Sequence, residues 1–174
     1  MDAKRRARQL RAIIQLGNAL EGKGIVAWLG GGWALEALDP TYQREHVDID
    51  FCIMAEHASD VRVLLEEDGY DIVSFNENSF RAERGKSAID WELLWSDEFG
   101  KLVSYYPNRE QPYEWPVDAF PDKKNGILDG TPVYAMSAAS QQRHKLEYSK
   151  DQAPLREKDI KDLSRLKAII HDRM

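Results

Sequence analysis

Two aspartates, Asp48 and Asp50, are the side chains of this sequence best placed to do chemistry together. The run 47–54 alternates like a β-strand, which predicts one apolar face and one face that carries both carboxylates. A solvated strand face is the ordinary interpretation of such a pair. Here, however, apolar Cys52 and Met54 continue the acidic face. The pattern therefore favours carboxylates at the mouth of a cleft, where Mg²⁺, which prefers oxygen ligands, would relieve their repulsion.

A run of three glycines, residues 30–32, precedes the aspartates. It joins a predicted strand over 25–29 to a predicted helix over 33–38, which ends at Asp39-Pro40. Glycine allows close approach of a ligand to the backbone, and the first N–H groups of a helix can bind a phosphate. A glycine run alone is more often a tight turn. With two carboxylates on the next strand, it predicts a phosphate cradle in which Gly31 and Gly32 contact a nucleotide.

A second acidic pair, Asp90 and Glu92, lies on one face of a predicted strand over 88–95. Taken alone, the pair is equally well explained as the wet face of an edge strand. Beside the upstream aspartates, it supplies the additional carboxylate that a metal-dependent transfer would require. Both acids are therefore candidate catalytic residues.

The segments 31–38 and 44–50 resemble the start of the small antibiotic-modifying nucleotidyltransferases, the aminoglycoside and lincosamide branch of the polymerase-β-like superfamily. The matching strings are Gly-Gly-Trp at 31–33 and R-x-H-x-D-I-D at 44–50. The likeness is strong over 28–95 and traceable to the C-terminus. It implies an α/β (α+β) nucleotidyltransferase fold, with a mixed twisted sheet flanked by helices and a C-terminal helical pair.

The resemblance also implies a reaction and a set of site residues. The expected reaction is Mg²⁺-dependent transfer of AMP from ATP, or of another nucleoside monophosphate, to a hydroxyl of a small antibiotic. Two Mg²⁺ ions would be held by Asp48, Asp50 and Asp90. Asp90 would accept the proton of the attacking hydroxyl, with Glu92 as the alternative base.

Four basic residues complete the predicted nucleotide site: Arg44, His46, Lys145 and Lys158. For His46, a hydrogen bond behind the metal ligands is favoured over metal binding, since Mg²⁺ prefers oxygen donors. Lys145 and Lys158 lie in the C-terminal strings H-K-x-x-Y and R-x-K-D, which are similar to the end of the resembling family. A surface salt bridge explains each lysine equally well.

The segment 96–125 is a long irregular connection that mixes prolines, aromatic residues and acids. Acids with aromatic rings suit a cationic, sugar-like acceptor, and the predicted contacts are Glu92, Tyr105, Glu114 and Trp115. The alternative is a solvated loop whose aromatic rings pack on the core. The acidity favours an aminoglycoside acceptor. A lincosamide remains the alternative because the 43–50 string resembles that branch at least as closely.

Composition limits the remaining possibilities. The 174-residue chain has a net charge of −6, which argues against broad nucleic-acid binding, and its single cysteine excludes an internal disulfide. No apolar run is long enough to cross a membrane, so we expect a cytoplasmic protein. We expect it to be a monomer or a homodimer.

Residues 1–136 are predicted to form the nucleotidyltransferase domain, with 137–174 as a helical segment packed on it. A macromolecule-modifying, antitoxin-like enzyme and a catalytically idle nucleotide-binding module remain open as alternative functions.

The elements that must position these residues can be predicted from periodicity and from turn and capping residues. Helices are expected at 3–21, 59–68 and 137–150, with a last helix opening at Pro154 or Leu155. Three strands, over 70–75, 79–83 and 88–95, should form an antiparallel meander. A short hairpin is expected over 126–135.

Overall fold

The computed structural model describes residues 2–172, which form five helices and nine strands. The helices are α1 (Ala3–Glu21), α2 (Gly31–Leu38), α3 (Ala58–Glu67), α4 (Ala138–Asp151) and α5 (Glu157–Asp172). The strands are β1 (Trp28–Leu29), β2 (Ile49–Met54), β3 (Asp71–Phe75), β4 (Ser79–Arg84), β5 (Ser87–Ser96), β6 (Leu102–Ser104), β7 (Tyr113–Glu114), β8 (Gly126–Leu128) and β9 (Thr131–Val133).

Seven of these strands form one mixed sheet with the order β1-β2-β5-β4-β3, extended by β6 on β5 and β7 on β6. The pairing of β2 with β5 is parallel, and every other pairing in this sheet is antiparallel. The connection from β2 to β5 runs through α3 and the hairpin β3–β4. This topology brings the two acidic strands, 40 positions apart in register, side by side.

A row of stacked aromatic rings lies on the buried face beneath the acids. Trp91 of β5 is paired in register with Phe51 of β2 and Phe80 of β4. Its ring stacks on both, with centroid separations of 4.9 Å and 5.6 Å. Because side chains alternate along a strand, this packing fixes which face the neighbouring acids occupy.

The helices cover the sheet through two apolar clusters. The larger cluster joins α1, α2 and α3 to the buried sheet face and includes Leu166 and Ile169 of α5. A second cluster forms beside β1 and β2 from residues of the 96–125 segment, including Tyr113 and Trp115. α1 begins at a side-chain cap, where the Asp2 carboxylate accepts from the backbone N–H of Lys4 at 3.0 Å and of Arg5 at 3.1 Å.

The predicted order of elements is confirmed, including the antiparallel β3–β4–β5 meander, the β8–β9 hairpin and the Ser137 cap of α4. Several predictions were wrong in detail. The strand predicted over 47–54 begins at Ile49, so Asp48 lies just before it, and the last helix begins at Glu157 rather than at Pro154 or Leu155. Only Trp28 and Leu29 of the predicted strand at 25–29 pair in the sheet, with β2. The connection 96–125 is not wholly irregular, since it contains β6 and β7.

The C-terminal helical pair is also present, and both helices contact α2. Asp39, at the end of α2, accepts hydrogen bonds from Arg165 of α5 and from Thr41. These bonds fix α5 relative to the glycine-led helix. The proposed boundary between 136 and 137 stays a prediction. Within residues 2–172, no helix is both long and apolar enough to span a bilayer.

Replacing Trp91 tests whether the aromatic row carries the sheet. Trp91→Ala should lower the free energy of unfolding by about 3–5 kcal/mol, since it leaves a cavity between two rings. Trp91→Phe should cost less, because the stack survives and the buried indole N–H, which has no hydrogen-bond partner, is removed. Urea denaturation of both variants measures the difference. A loss below about 1 kcal/mol for Trp91→Ala would contradict this role.

Candidate active site

Asp50 of β2 lies on the same face of the sheet as Asp90 and Glu92 of β5, and Asp48 directly precedes β2. Asp50 pairs in register with Asp90, which in turn lies opposite Arg81 of β4. One step along, Cys52 pairs with Glu92. Adjacent strands lie about 4.8 Å apart, so strand pairing alone brings Asp50 and Asp90 together.

The electrostatics of Asp50 show a local excess of negative charge. Burial, followed by the charges of Asp48 and Asp90, raises the pKa of Asp50 to about 7, and Lys145 and Lys158 only partly offset this. The carboxylates thus repel one another within a partly desolvated site. A bound cation would relieve that repulsion.

Asp90 has a cation beside it already. Nη1 of Arg81 donates to both carboxylate oxygens of Asp90, at 2.9 Å and 2.7 Å. Burial raises the pKa of Asp90, and the Arg81 hydrogen bond opposes that rise. Among residues 2–172, no three His, Cys, Asp or Glu side chains are gathered closely enough to form a ready metal site.

The donor set nevertheless fits a divalent metal. Asp48, Asp50 and Asp90 offer only carboxylate oxygens, which suit Mg²⁺. Burial is the main cause of the raised pKa of Asp50, and the charges of Asp48 and Asp90 add to it. The residues that would hold Mg²⁺ stay those predicted from the sequence: Asp50 and Asp90, side by side in register, and Asp48, which directly precedes β2.

The glycine turn lies directly against Asp50. The Gly30 N–H donates to the Asp50 carbonyl at 2.9 Å, and α2 starts at the next residue. Gly31 has a φ of +53°, and a Cβ there would lie 2.2 Å from Oδ2 of Asp50. Glycine is required by both the backbone conformation and the space. The first N–H groups of α2 have no carbonyl partner within the helix, which suits an anion beside the acids.

Gly32 serves a different purpose. Gly30, Gly31 and Asp50 line a cleft between the sheet and the α4–α5 connection, whereas a side chain at Gly32 would point towards Arg44 and His46. A Cβ at Gly32 would lie 2.3 Å from Nη2 of Arg44 and 2.5 Å from the His46 ring. The turn therefore rests on these two side chains. Gly32 does not line the cleft, unlike Gly30 and Gly31.

Beneath the turn, a buried carboxylate binds both of those residues. Glu36, which is 1% exposed, accepts from the Arg44 backbone N–H at 3.1 Å and pairs with Nε2 of His46 at 2.7 Å. Arg6 of α1 donates to its other oxygen at 2.6 Å. Burial would raise the pKa of Glu36, but the hydrogen bonds from His46, Arg44 and Arg6 lower it overall.

These contacts correct the expectation for Arg44 and His46. The Arg44 guanidinium forms a two-point pair with Asp162, 3.0 Å for each bond, so it is committed on the far side of the turn. His46 precedes β2 rather than lying on it, and its hydrogen bond goes to Glu36 rather than to an aspartate. Both residues support the turn, and neither lines the cleft.

The C-terminal helices bring a basic group to the same end of the cleft. Nζ of Lys145 lies 3.1 Å from Asp159 and 3.3 Å from the fully buried Asp162. Arg156 also pairs with Asp159, and both Lys145 and Arg156 line the cleft. Lys158 does not line it, although its charge lowers the pKa of Asp50.

A hydrogen-bonded chain lies at the other end, around Glu92. The Tyr106 hydroxyl donates to Oε1 of Glu92 at 2.5 Å and lies 2.8 Å from Nε2 of His144. Because the single hydroxyl proton goes to the carboxylate, His144 must donate from Nε2. Burial lowers the pKa of His144, which favours the neutral ring. His144 is therefore a neutral member of this hydrogen-bonded network rather than a cation that could bind phosphate.

Of the other predicted acceptor contacts, only Tyr105 lines the cleft. Trp115 is 5% exposed and donates to Oγ of Ser104 at 2.8 Å, so its ring is part of the second apolar cluster. Glu114 is exposed and pairs with Lys101 at 2.8 Å outside the cleft. The expectation for Glu114 and Trp115 is corrected by these positions, and the alternative of aromatic packing on the core holds for this part of the loop.

The cleft between the sheet and the α4–α5 connection has a volume of about 740 Å³. Asp50, Asp90 and the glycine turn lie at its walls together with Lys145 and Glu92. Its size suits a nucleotide and a second, smaller molecule better than a macromolecular surface.

Comparison with known proteins identifies the family. The family model described as aminoglycoside-2''-adenylyltransferase matches residues 12–166. This chain belongs to that family.

Two curated proteins are similar to parts of this chain. A 2''-aminoglycoside nucleotidyltransferase of Klebsiella pneumoniae is 28% identical over 126 residues, covering 72% of this chain and 66% of the relative. A lincosamide resistance protein of Staphylococcus haemolyticus is 44% identical over 55 residues, covering 32% of this chain and 34% of the relative. The chain thus spans just under two thirds of the Klebsiella relative.

A solved member shares the fold. The crystal structure of ANT(2'')-Ia in complex with adenylyl-2''-tobramycin aligns with a TM-score of 0.76 at 21% identity, covering 95% of this chain and 91% of that one. The predicted nucleotidyltransferase fold is confirmed.

Several residues of this family member that shape the site were missed by sequence reasoning. No local pattern indicates the contacts of Arg81, Tyr106 and Glu36, which span 9, 14 and 10 residues, respectively. Arg81 alone carried a usable signal, since a basic residue in the strand neighbouring an acidic one is a natural cross-strand partner. Glu36 and Tyr106 carried none.

Enlarging Gly32 tests whether the turn rests on His46. Gly32→Ala should lower the free energy of unfolding by about 1–3 kcal/mol, because the added methyl meets Arg44 and a buried ring. The cost should shrink in a His46→Ala background, since residues in contact are coupled. Urea denaturation of the four proteins of this cycle gives the coupling energy.

Gly17→Ala provides the matched control for this cycle. A Cβ at Gly17 of α1 meets nothing within 4 Å, so that variant should be as stable as wild type or more stable. A Gly32→Ala protein as stable as Gly17→Ala would contradict the packing role.

Proposed function

We propose that this protein transfers AMP from ATP to a hydroxyl group of an aminoglycoside in a Mg²⁺-dependent reaction. The observation that carries the proposal is the register of Asp50 with Asp90, beside a glycine-led helix start. Membership of the aminoglycoside-2''-adenylyltransferase family supports the acceptor class.

The residues of the chain can be given roles in this reaction. Asp48, Asp50 and Asp90 would hold Mg²⁺, which when bound neutralises phosphate charge and polarises the α-phosphate. The N–H groups at the start of α2 bind phosphate oxygens, and Lys145 and Arg156 add positive charge. These groups position the triphosphate for attack, which is most of what phosphoryl-transfer catalysis requires.

The transfer step forms a bond between the acceptor oxygen and the α-phosphorus and breaks the bond to the pyrophosphate oxygen. Pyrophosphate leaves with that electron pair. Asp90 accepts the proton of the attacking hydroxyl on its carboxylate. Glu92 is the weaker candidate for base, because it lies opposite Cys52 rather than beside Asp50 and its Oε1 already accepts from the Tyr106 hydroxyl. We assign Glu92 to binding an acceptor ammonium group.

Replacing Asp50 tests the proposed reaction. Asp50→Asn should reduce transfer by about 100-fold or more, since a neutral amide holds Mg²⁺ poorly. The variant should be at least as stable as wild type, because repulsion from Asp48 and Asp90 is relieved. Mass-shift detection of the nucleotidylated acceptor and thermal denaturation give both readouts.

Asp71→Asn, a change at an exposed position at the start of β3, is the control for the loss of one carboxylate. It should retain full transfer. Wild-type turnover by Asp50→Asn at saturating Mg²⁺ would contradict the proposal.

A lincosamide acceptor is the second candidate, and two observations favour it. The identity to the lincosamide resistance protein reaches 44%, although over 55 residues only. Among the described residues that line the cleft, Glu92 is the carboxylate that lies with the rings of Tyr105, Tyr106 and Tyr148, whereas Asp50, Asp90 and Asp159 also line it. One carboxylate among aromatic rings suits an acceptor with one amine and apolar parts at least as well as it suits a polycation.

Acceptor choice is tested with kanamycin-like and lincomycin-like substrates and two glutamate variants. Glu92→Gln should raise the acceptor KM roughly tenfold, since a hydrogen bond to a charged group is lost, and leave the ATP KM unchanged. Glu114→Gln should leave both unchanged, because that side chain pairs with Lys101 outside the cleft.

Both acceptors should be assayed at low and moderate salt. A polycation bound by several loop acids would lose affinity steeply as salt rises, because exposed charges are screened beyond roughly 10 Å at 0.1 M. An equal rise in acceptor KM for Glu114→Gln would restore the loop acids as the binding site. Turnover of the lincosamide alone would replace the aminoglycoside as acceptor.

A further inference from the structure

The proposed reaction gives no role to the contact between Arg81 and Asp90. Nη1 of Arg81 lies 2.9 Å and 2.7 Å from the two oxygens of Asp90. A nitrogen at these distances from both oxygens sits between them, across the edge that a cation would approach. Asp90 therefore already has a cationic partner.

The chain holds Arg81 in this position from two sides. Arg81 and Asp90 are directly opposite in the antiparallel β4–β5 pair, so the backbone delivers the guanidinium to the carboxylate. Nε of Arg81 donates to Glu83, two residues along β4, at 2.8 Å. Arg81 also lines the cleft, so its guanidinium is in reach of anything bound there.

Asp48 and Asp50 are treated differently. Within residues 2–172, neither carboxylate accepts a hydrogen bond from a basic side chain, whereas Asp90 accepts two from Arg81. The protein thus neutralises one of three mutually repelling carboxylates with its own cation and leaves the other two. A divalent ion that needs all three must compete with the guanidinium.

We propose that Arg81 is a built-in competitor for the metal: it occupies Asp90 until Mg²⁺ displaces it. This inference rests on the proposed Mg²⁺ site. The competition weakens binding of the bare metal ion, because the Arg81–Asp90 pair must be broken first. Glu83, to which Nε of Arg81 already donates, provides the displaced guanidinium with a carboxylate partner.

The test is the affinity of the nucleotide-free protein for Mn²⁺, a spectroscopic substitute for Mg²⁺, measured by electron paramagnetic resonance of the free ion. Arg81→Met should bind Mn²⁺ on the order of tenfold more tightly than wild type, since a hydrogen-bonded ion pair no longer has to be broken. Arg81→Gln, which keeps a polar side chain, should show the same direction with a smaller gain.

Arg84→Met is the matched control. Arg84 lies on the same strand and carries the same charge, but it pairs with Asp68 at 3.0 Å. If Arg81 competes directly, the Arg84 variant binds Mn²⁺ within about twofold of wild type. An equal gain in the two methionine variants would reduce the effect to overall charge and overturn the proposal.

Two further outcomes separate this inference from the proposed reaction. Unchanged or weaker Mn²⁺ binding by both Arg81 variants would overturn the competition and leave the metal site intact. Absence of Mn²⁺ binding in every protein, with and without an unreactive ATP analogue, would overturn the metal site and this inference with it.

Discussion

The parallel pairing of β2 with β5 is the constraint on which the rest of the site depends. It sets Asp50 beside Asp90 and Phe51 beside Trp91 in one register. Because side chains alternate, a slip of one residue in either strand would move its acids into the aromatic row and its rings into the cleft. The packing of the apolar face therefore also fixes which residues lie on the acidic face. The same strand pairing determines both the stability of the sheet and the positions of its acids.

Charge is distributed unevenly around this pairing, and the contrast distinguishes supporting acids from reactive ones. Glu36 and Asp162 are buried, and each has several hydrogen-bonded partners, so each ties separate elements together. Asp48 and Asp50 lack such partners among the described residues, and the pKa of Asp50 rises accordingly. Carboxylates that a protein leaves close together without full compensation are better explained by a ligand than by stability.

The sequence predicted the acids and the glycine turn well because their signal is local. Strand alternation places Asp50 and Asp90, and Gly31 adopts a positive φ that only glycine accommodates readily. Sequence reasoning failed to predict the directions in which some side chains point. Arg44 and His46 precede a strand whose first residue is Ile49, so strand periodicity could not reveal that their side chains lie beneath the turn. The pairing of Tyr106 with Glu92 depends on a loop path that no local pattern encodes.

The argument from net acidity is weak for a related reason, although the family match supports an aminoglycoside acceptor. The acids between positions 90 and 122 outnumber the basic residues, but a count of charges along a chain says nothing about which of them face one space. Asp97 accepts from backbone N–H groups of its own turn, and Glu114 pairs with Lys101, so neither of these two acids lines the cleft. Glu92 does line it, and it accepts from Tyr106, whose hydroxyl also contacts His144. If Glu92 binds the acceptor as proposed, selection would depend on how this carboxylate and its ring neighbours fit a ligand, rather than on net acidity.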